Sequence, residues 1–73
     1  MNAIPLLATV AVVADLPDHK LTKGQIGTVV EHLGRAGEEA LLVEFSDEQG
    51  RTYAMVALKA DELMVLHREP EAA

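Results

Sequence analysis

The sequence lacks cysteine and tryptophan, and only Phe45 and Tyr53 are aromatic among its 73 residues. Without cysteine the chain can form neither disulfides nor thiolate metal sites. Its single serine, Ser46, falls in a predicted hairpin, and its three histidines lie far apart in the sequence. No arrangement of a nucleophile and a base is present. We therefore expect no enzyme activity, no catalytic residue, no metal and no cofactor.

Basic residues are also scarce, with 6 Lys and Arg against 12 Asp and Glu, for a net charge of −6. Nucleic-acid surfaces need clustered Lys and Arg, so nucleic acid and anionic lipid are not expected partners. Pairs of acids fall on predicted turns, at Glu38–Glu39, Asp47–Glu48 and Asp61–Glu62. They form either a solvated rim or an acidic patch that steers a basic partner during encounter.

No apolar run is long enough to cross a bilayer; residues 3–14 contain no charge but are too few. The first Lys or Arg of the sequence is Lys20, whereas a secretory signal carries positive charge before its apolar segment. We expect residues 3–14 to contain a buried first strand, and we expect a cytoplasmic protein.

The apolar residues that are present follow the period of β-strands. Five strands are predicted, at 9–14, Ile26–Leu33, Ala40–Ser46, Thr52–Leu58 and 64–68. An ordered loop at 15–24, anchored by Leu16 and Leu21, separates the first two strands. Residues 59–63 form one helical turn before the last strand, with Leu63 pointing inward. The pattern predicts an all-β domain over 1–68, a small five-stranded SH3-like barrel, with a frayed acidic tail at 69–73.

Three glycines have backbone roles in this prediction. Gly24 and Gly50 close turns, where glycine accepts positive φ. Strict alternation would place Ile26 and Val29 on opposite faces of the second strand, and a β-bulge at Gly27 would bring them to the same face. We expect that bulge.

One loop places a nitrogen and two oxygens close together, at Asp15, Asp18 and His19. Their spacing matches no metal-ligand pattern, and aspartates in loops commonly accept hydrogen bonds from backbone amides. We expect this second role.

Hydrophobic residues make up 49% of the chain, more than a barrel this small can bury. Contiguous exposed apolar area usually marks an interface, where tyrosine and methionine are enriched. The residues predicted to face away from the core are Val13, Leu42, Tyr53, Met55 and Met64. They form a surface for a protein partner or a homo-oligomer, or they are covered by the chain's own loop and N-terminal segment. The strand register within 52–68 stays open, because both faces there are apolar.

Two resemblances add to this interpretation. The segment KGQIGTVVE, at 23–31, resembles the KOW motif of ribosomal and transcription-factor barrels. That resemblance implies nucleic-acid binding through Lys20, Lys23 and Arg35, but KOW surroundings are basic and this chain is acidic.

Most of the chain resembles a family of small bacterial proteins known only as a domain of unknown function. The matching blocks are DLP in the first loop, KGQ-GTVVE in the second strand, VEF-D-GRTYA in the hairpin and LKADEL before the last strand. The resemblance implies an SH3-like barrel without an established activity, and it suggests an antitoxin, immunity or accessory role.

We therefore expect a non-catalytic protein-binding module, an accessory or antitoxin-like subunit that uses an apolar strand face with acidic turns. The alternatives are a self-associating structural barrel and a KOW-type nucleic-acid binder.

Overall fold

The computed structural model describes residues 4–34 and 39–67, and all five predicted strands are present. They are β1 (Thr9–Val12), β2 (Ile26–Leu33), β3 (Ala40–Ser46), β4 (Thr52–Leu58) and β5 (Leu63–Val65). The helical segments of the described residues are two short 3₁₀ turns, at Pro17–His19 and Ala60–Glu62, the second of which precedes the last strand.

The strands form one antiparallel sheet in the order β4-β3-β2-β1-β5. The all-β prediction is confirmed, and closure of the sheet into a barrel stays a prediction. The predicted tail at 69–73, and Arg35 and Glu38 of the second turn, lie outside the described residues. Within the described ranges, no helix is long and apolar enough to cross a membrane.

The first and last strands are shorter than predicted. β1 ends at Val12, because the chain then bends into the long loop; the amide of Val13 still donates to the carbonyl of Glu62, opposite it. β5 occupies Leu63–Val65 and begins one residue earlier than expected, because Leu63 already pairs with Val12. Residue 68, the predicted end of this strand, is outside the described part of the chain.

The core lies on one face of the sheet, where every second side chain is buried. Its buried members are Val10, Val12, Leu21, Val29, Leu41, Val43, Phe45, Leu58 and Leu63. Burying a side chain of this kind contributes about 1.5–3 kcal/mol. Leu58 and Leu63 belong to the same cluster although β4 and β5 lie at opposite ends of the sheet order, so the sheet curls around the core.

The long loop is anchored where the sequence predicted. Leu16 and Leu21 form an isolated antiparallel bridge across the loop. Leu21 is fully buried in the core and Leu16 packs against it half-buried. The loop therefore covers one end of the core.

The bulge expected at Gly27 lies elsewhere, so that prediction is wrong. Gly27 pairs regularly with Val10 on one side and Phe45 on the other. The register instead shifts between Val29 and Glu31. Gly27 is needed for a different reason, because a Cβ there would lie 2.7 Å from a methyl carbon of Val43 and 3.0 Å from the ring of Phe45.

The other two glycines lie in turns with positive φ. Gly24, at φ +95°, donates its amide to the carbonyl of Val12 and so ties the end of the loop to β1. Gly50, at φ +83°, donates to the carbonyl of Asp47 in the β3–β4 hairpin.

Candidate functional site on the outer face of the sheet

The face of the sheet opposite the core, here called the outer face, carries a row of three apolar side chains. Ala11 is the Cα partner of Ile26 on β2 and of Met64 on β5. Partners directly across antiparallel strands project their side chains from the same face. Ile26 and Met64 are each 54% exposed, whereas the small Ala11 between them is only 7% exposed. Ile26, Ala11 and Met64, here called the apolar row, thus span three adjacent strands.

Val13 extends the apolar row at the end of β1. It lies two residues after Ala11, so alternation places it on the same face, and its side chain is exposed. Its amide is fixed by the hydrogen bond of 3.1 Å to the carbonyl of Glu62. Of the predicted surface residues, Val13 and Met64 therefore lie at the same end of the outer face.

Leu42 and Met55 form a second apolar group on β3 and β4. Leu42 is half-buried and pairs with Ala57, and Met55, which is 51% exposed, pairs with Glu44. The apolar row is separated from this group by polar side chains, of which Thr28 of β2 is the Cα partner of Glu44. Glu44 is itself engaged, because its Oε2 accepts a hydrogen bond of 2.6 Å from the hydroxyl of Thr52.

Tyr53 does not join Met55, although regular alternation would put both side chains on one face. The β3–β4 register shifts between Phe45 and Ser46, so Tyr53 is an extra residue in β4. Its ring centroid lies 6.3 Å from that of the buried Phe45, and its hydroxyl accepts a hydrogen bond of 2.9 Å from Nε2 of Gln25. The exposed Tyr53 ring thus lies at the rim of the core side, apart from the outer face.

Sequence reasoning missed Ile26 as a surface residue. The signal was available, because alternation along β2 with Gly27 facing the core places Ile26 outside. The bulge assumed at Gly27 instead placed Ile26 on the same face as Val29, which is the core face. Leu6 and Leu7, in the turn before β1, are exposed apolar residues that were also missed.

In two of the acidic pairs, one carboxylate accepts hydrogen bonds from backbone amides of its own turn. Both Gln49 and Arg51 donate their amides to Oδ1 of Asp47 at 2.9 Å, and Glu62 Oε1 accepts from the amide of Lys59 at 2.8 Å. Their neighbours Glu48 and Asp61 are exposed. The acidic surface available to a partner is therefore smaller than the sequence count suggests.

Asp15 of the long loop likewise has a backbone contact, as expected for an aspartate in a loop. Asp15 Oδ1 accepts a hydrogen bond of 2.8 Å from the amide of Lys23, which closes the loop. Across residues 4–34 and 39–67, no group of three or more His, Asp or Glu side chains is placed to hold a metal ion. Asp18 and His19 lie on the exposed Pro17–His19 turn.

Comparison with known proteins identifies one family. Residues 6–65 match the model of a family described as a domain of unknown function (DUF4926). Searches of curated proteins and of solved structures each find no match. The predicted membership of a family without an established activity is confirmed.

Proposed function

We propose a function for this chain, which belongs to the DUF4926 family: it is a non-catalytic domain that binds a protein partner through the apolar row. In this role it is an accessory or antitoxin-like subunit. The partner contacts Ile26 and Met64, with Ala11 between them and Val13 at the margin.

The apolar row is the observation that carries this proposal. Soluble proteins seldom expose contiguous apolar side chains without a partner to cover them. Methionine is common at such surfaces because its flexible thioether adapts to the shape of a partner. Two of the three side chains in the row are more than half exposed.

The position of the row supports binding as well. Its central residue, Ala11, lies between Val10 and Val12, which are both fully buried on the core side. β1 is hydrogen-bonded on both edges, to β2 and to β5. A rigid surface loses little conformational entropy on binding, so more of the contact energy appears as affinity.

The fold that we propose for this domain is the SH3-like barrel. Three features support it: the antiparallel strand order, the 3₁₀ turn before the last strand, and a core shared by Leu58 and Leu63 from the two end strands. Such a barrel, left open between its end strands β4 and β5, would hold the apolar row on its outside.

Capture from the native host's nuclease-treated lysate tests partner binding. The tagged chain is compared with Met64→Asp and with Met55→Asp, a matched control because both methionines lie on the outer face and are about equally exposed. We expect one protein to be captured stoichiometrically by the wild type and by Met55→Asp. Met64→Asp should weaken capture at least about tenfold, because it places a charge in a desolvated contact. Thermal melts of each variant establish that it is folded.

Two results would contradict the proposal. One is that only the bait returns from the lysate. The other is that Met64→Asp captures the partner as well as the wild type does. A protein that is captured from untreated lysate but not from the nuclease-treated lysate would favour the KOW-type alternative instead.

A further inference from the structure

The edge of β4 that faces away from β3, unpaired within residues 4–34 and 39–67, is a second surface, distinct from the apolar row. β4 lies at the end of the sheet and pairs with β3 along one side. Within the described residues, the backbone hydrogen bonds outside the strand pairs include no residue of Thr52–Leu58. In an antiparallel pair, alternate residues of an end strand direct their N–H and C=O groups away from the sheet. β4 therefore presents a row of backbone donors and acceptors.

This edge lacks the features that normally protect an edge strand. Natural edges are kept short, or carry charges, proline or bulges. β5, at the other end of the sheet, has three residues and follows directly on Asp61 and Glu62. Thr52–Leu58 contains no charge, no proline and no glycine. The irregularity at Tyr53 affects only the beginning of the strand and leaves residues 54–58 in regular register.

We propose that β4 pairs with β4 of a second copy of this chain, antiparallel and about a two-fold axis, so that the two sheets become continuous. A two-fold axis presents the same strand from both sides, which antiparallel pairing requires. This interaction is independent of partner binding at the apolar row.

The absence of charge on β4 makes this edge the place where a second acidic copy can approach with least local repulsion. Each chain carries a net charge of −6, and like charges that face each other across strands are destabilising. β4 contains no carboxylate, so two acidic copies can approach here without bringing negative charges face to face. The nearest acid of β3 on the outer face, Glu44, is bonded to Thr52. A basic partner, by contrast, would find no counter-charge on β4.

Side-chain sizes also fit this pairing. With the two-fold axis at Val56, the centre of the regular segment, Met55 lies opposite Ala57, and Leu58 lies opposite Ala54. Each of these two large side chains thus faces a small one, and Val56 faces Val56 of the other copy across the axis. Ala57 and Met55 are both exposed on the outer face, where this contact would cover them. An interface of one strand pair is smaller than a standard protein interface, so the dimer is weak and depends on concentration.

Sedimentation equilibrium from about 1 μM to about 1 mM tests self-pairing, over the range in which weak complexes form. The wild-type mass should rise towards that of two chains. Met55→Asp should remain a monomer throughout, whereas Met64→Asp, which adds the same charge outside β4, should dimerise as the wild type does. A wild type that is monomeric at every concentration overturns the proposal, as does an equal loss in the two variants.

The register is tested by disulfide formation, because the chain contains no cysteine of its own. Single variants Met55→Cys and Ala57→Cys are mixed and oxidised. The mixed disulfide should form several-fold faster than either symmetric one, because directly opposite residues fall within the Cα separation that a disulfide spans and residues two positions apart do not. Ile26→Cys, also exposed, should not join to Ala57→Cys. Equal yields of all pairs would overturn the pairing.

The two proposals fail separately. Loss of the dimer in Met55→Asp with capture of the partner intact supports both. A monomeric wild type that still captures a partner through Met64 overturns only the pairing of β4. A monomer whose β4 amides are nevertheless protected from hydrogen exchange would assign this edge to another strand.

Discussion

At the scale of single residues, Gly27 shows how closely β2 and β3 pack. The strand at this point needs no special φ, so glycine is required here by space and not by backbone conformation. A Cβ would meet the carbonyl oxygen of Glu44 at 2.9 Å as well as the side chain of Val43. Backbone atoms cannot turn aside as the end of a side chain can.

Gly27→Ala should therefore lower the free energy of unfolding by about 1–3 kcal/mol, the usual cost of overpacking a core. Urea denaturation measures the change. Glu31→Gln is the control, because the side chain of Glu31 is exposed on the same strand; its effect should stay within about 0.5 kcal/mol. Equal stability of Gly27→Ala and the wild type would contradict the packing described.

Individual residues also show where reasoning from the sequence stops. Alternation correctly placed Leu42 on the face of β3 opposite the core, since its neighbours Leu41 and Val43 are buried in the core. It could not place Tyr53, because the register shift opposite Ser46 arises from pairing with another strand. For the same reason the bulge of β2 was assigned to Gly27, the residue with the most permissive backbone. The structure places it between Val29 and Glu31.

At the scale of elements, the β3–β4 hairpin depends on the carboxylate of Asp47. Its Oδ1 accepts from the amides of Gln49 and Arg51, and its Oδ2 lies 3.5 Å from Nε of Arg51. The ion pair is exposed and contributes little. The two amide hydrogen bonds hold the turn.

Asp47→Ala should lower the free energy of unfolding by about 1–2 kcal/mol, because the backbone N–H groups of Gln49 and Arg51 lose their hydrogen-bond acceptor. Asp47→Asn should lose less, since its amide oxygen can still accept in the same position. Urea denaturation of the two variants distinguishes these contributions. If both variants lose the same free energy of unfolding, the negative charge of Asp47, and not its oxygen as an acceptor, stabilises the turn.

The bounds of β2, β3 and β4 could be predicted because these strands are long and end at clear turn residues. β1 and β5 were predicted less well, since each is short and its end depends on contact with the other. Val13 illustrates this point, because its amide bonds to Glu62, a residue far away in the sequence. Local pattern carries no information about such a contact.

At the scale of the whole molecule, the net charge of −6 opposes association of two copies. Salt screens this repulsion, and the Debye length falls from about 10 Å at 0.1 M to about 3 Å at 1 M. Contacts between uncharged strands are not weakened by the same change.

The fraction of dimer should therefore rise when the salt concentration increases from about 0.05 M to about 0.5 M. Sedimentation equilibrium of the wild type at one fixed protein concentration measures it. Met55→Asp at the same two salt concentrations controls for non-specific association. A dimer that dissociates as salt increases would show that charged groups hold it together, contrary to pairing through β4.

The all-β class, the residues of β2, β3 and β4, and the excess of apolar residues over what a core of this size holds could all be predicted from the amino-acid sequence. These properties follow from side-chain period and composition, which are local. The grouping of the exposed apolar residues, by contrast, became visible only in the folded chain. The tertiary structure set Ile26 beside Ala11 and Met64, kept Leu42 and Met55 apart from them, and moved Tyr53 to the core side. Strand register decides which residues of neighbouring strands lie side by side on one face of the sheet. Register is fixed by pairing between strands that are distant in the chain, so local sequence does not reveal it.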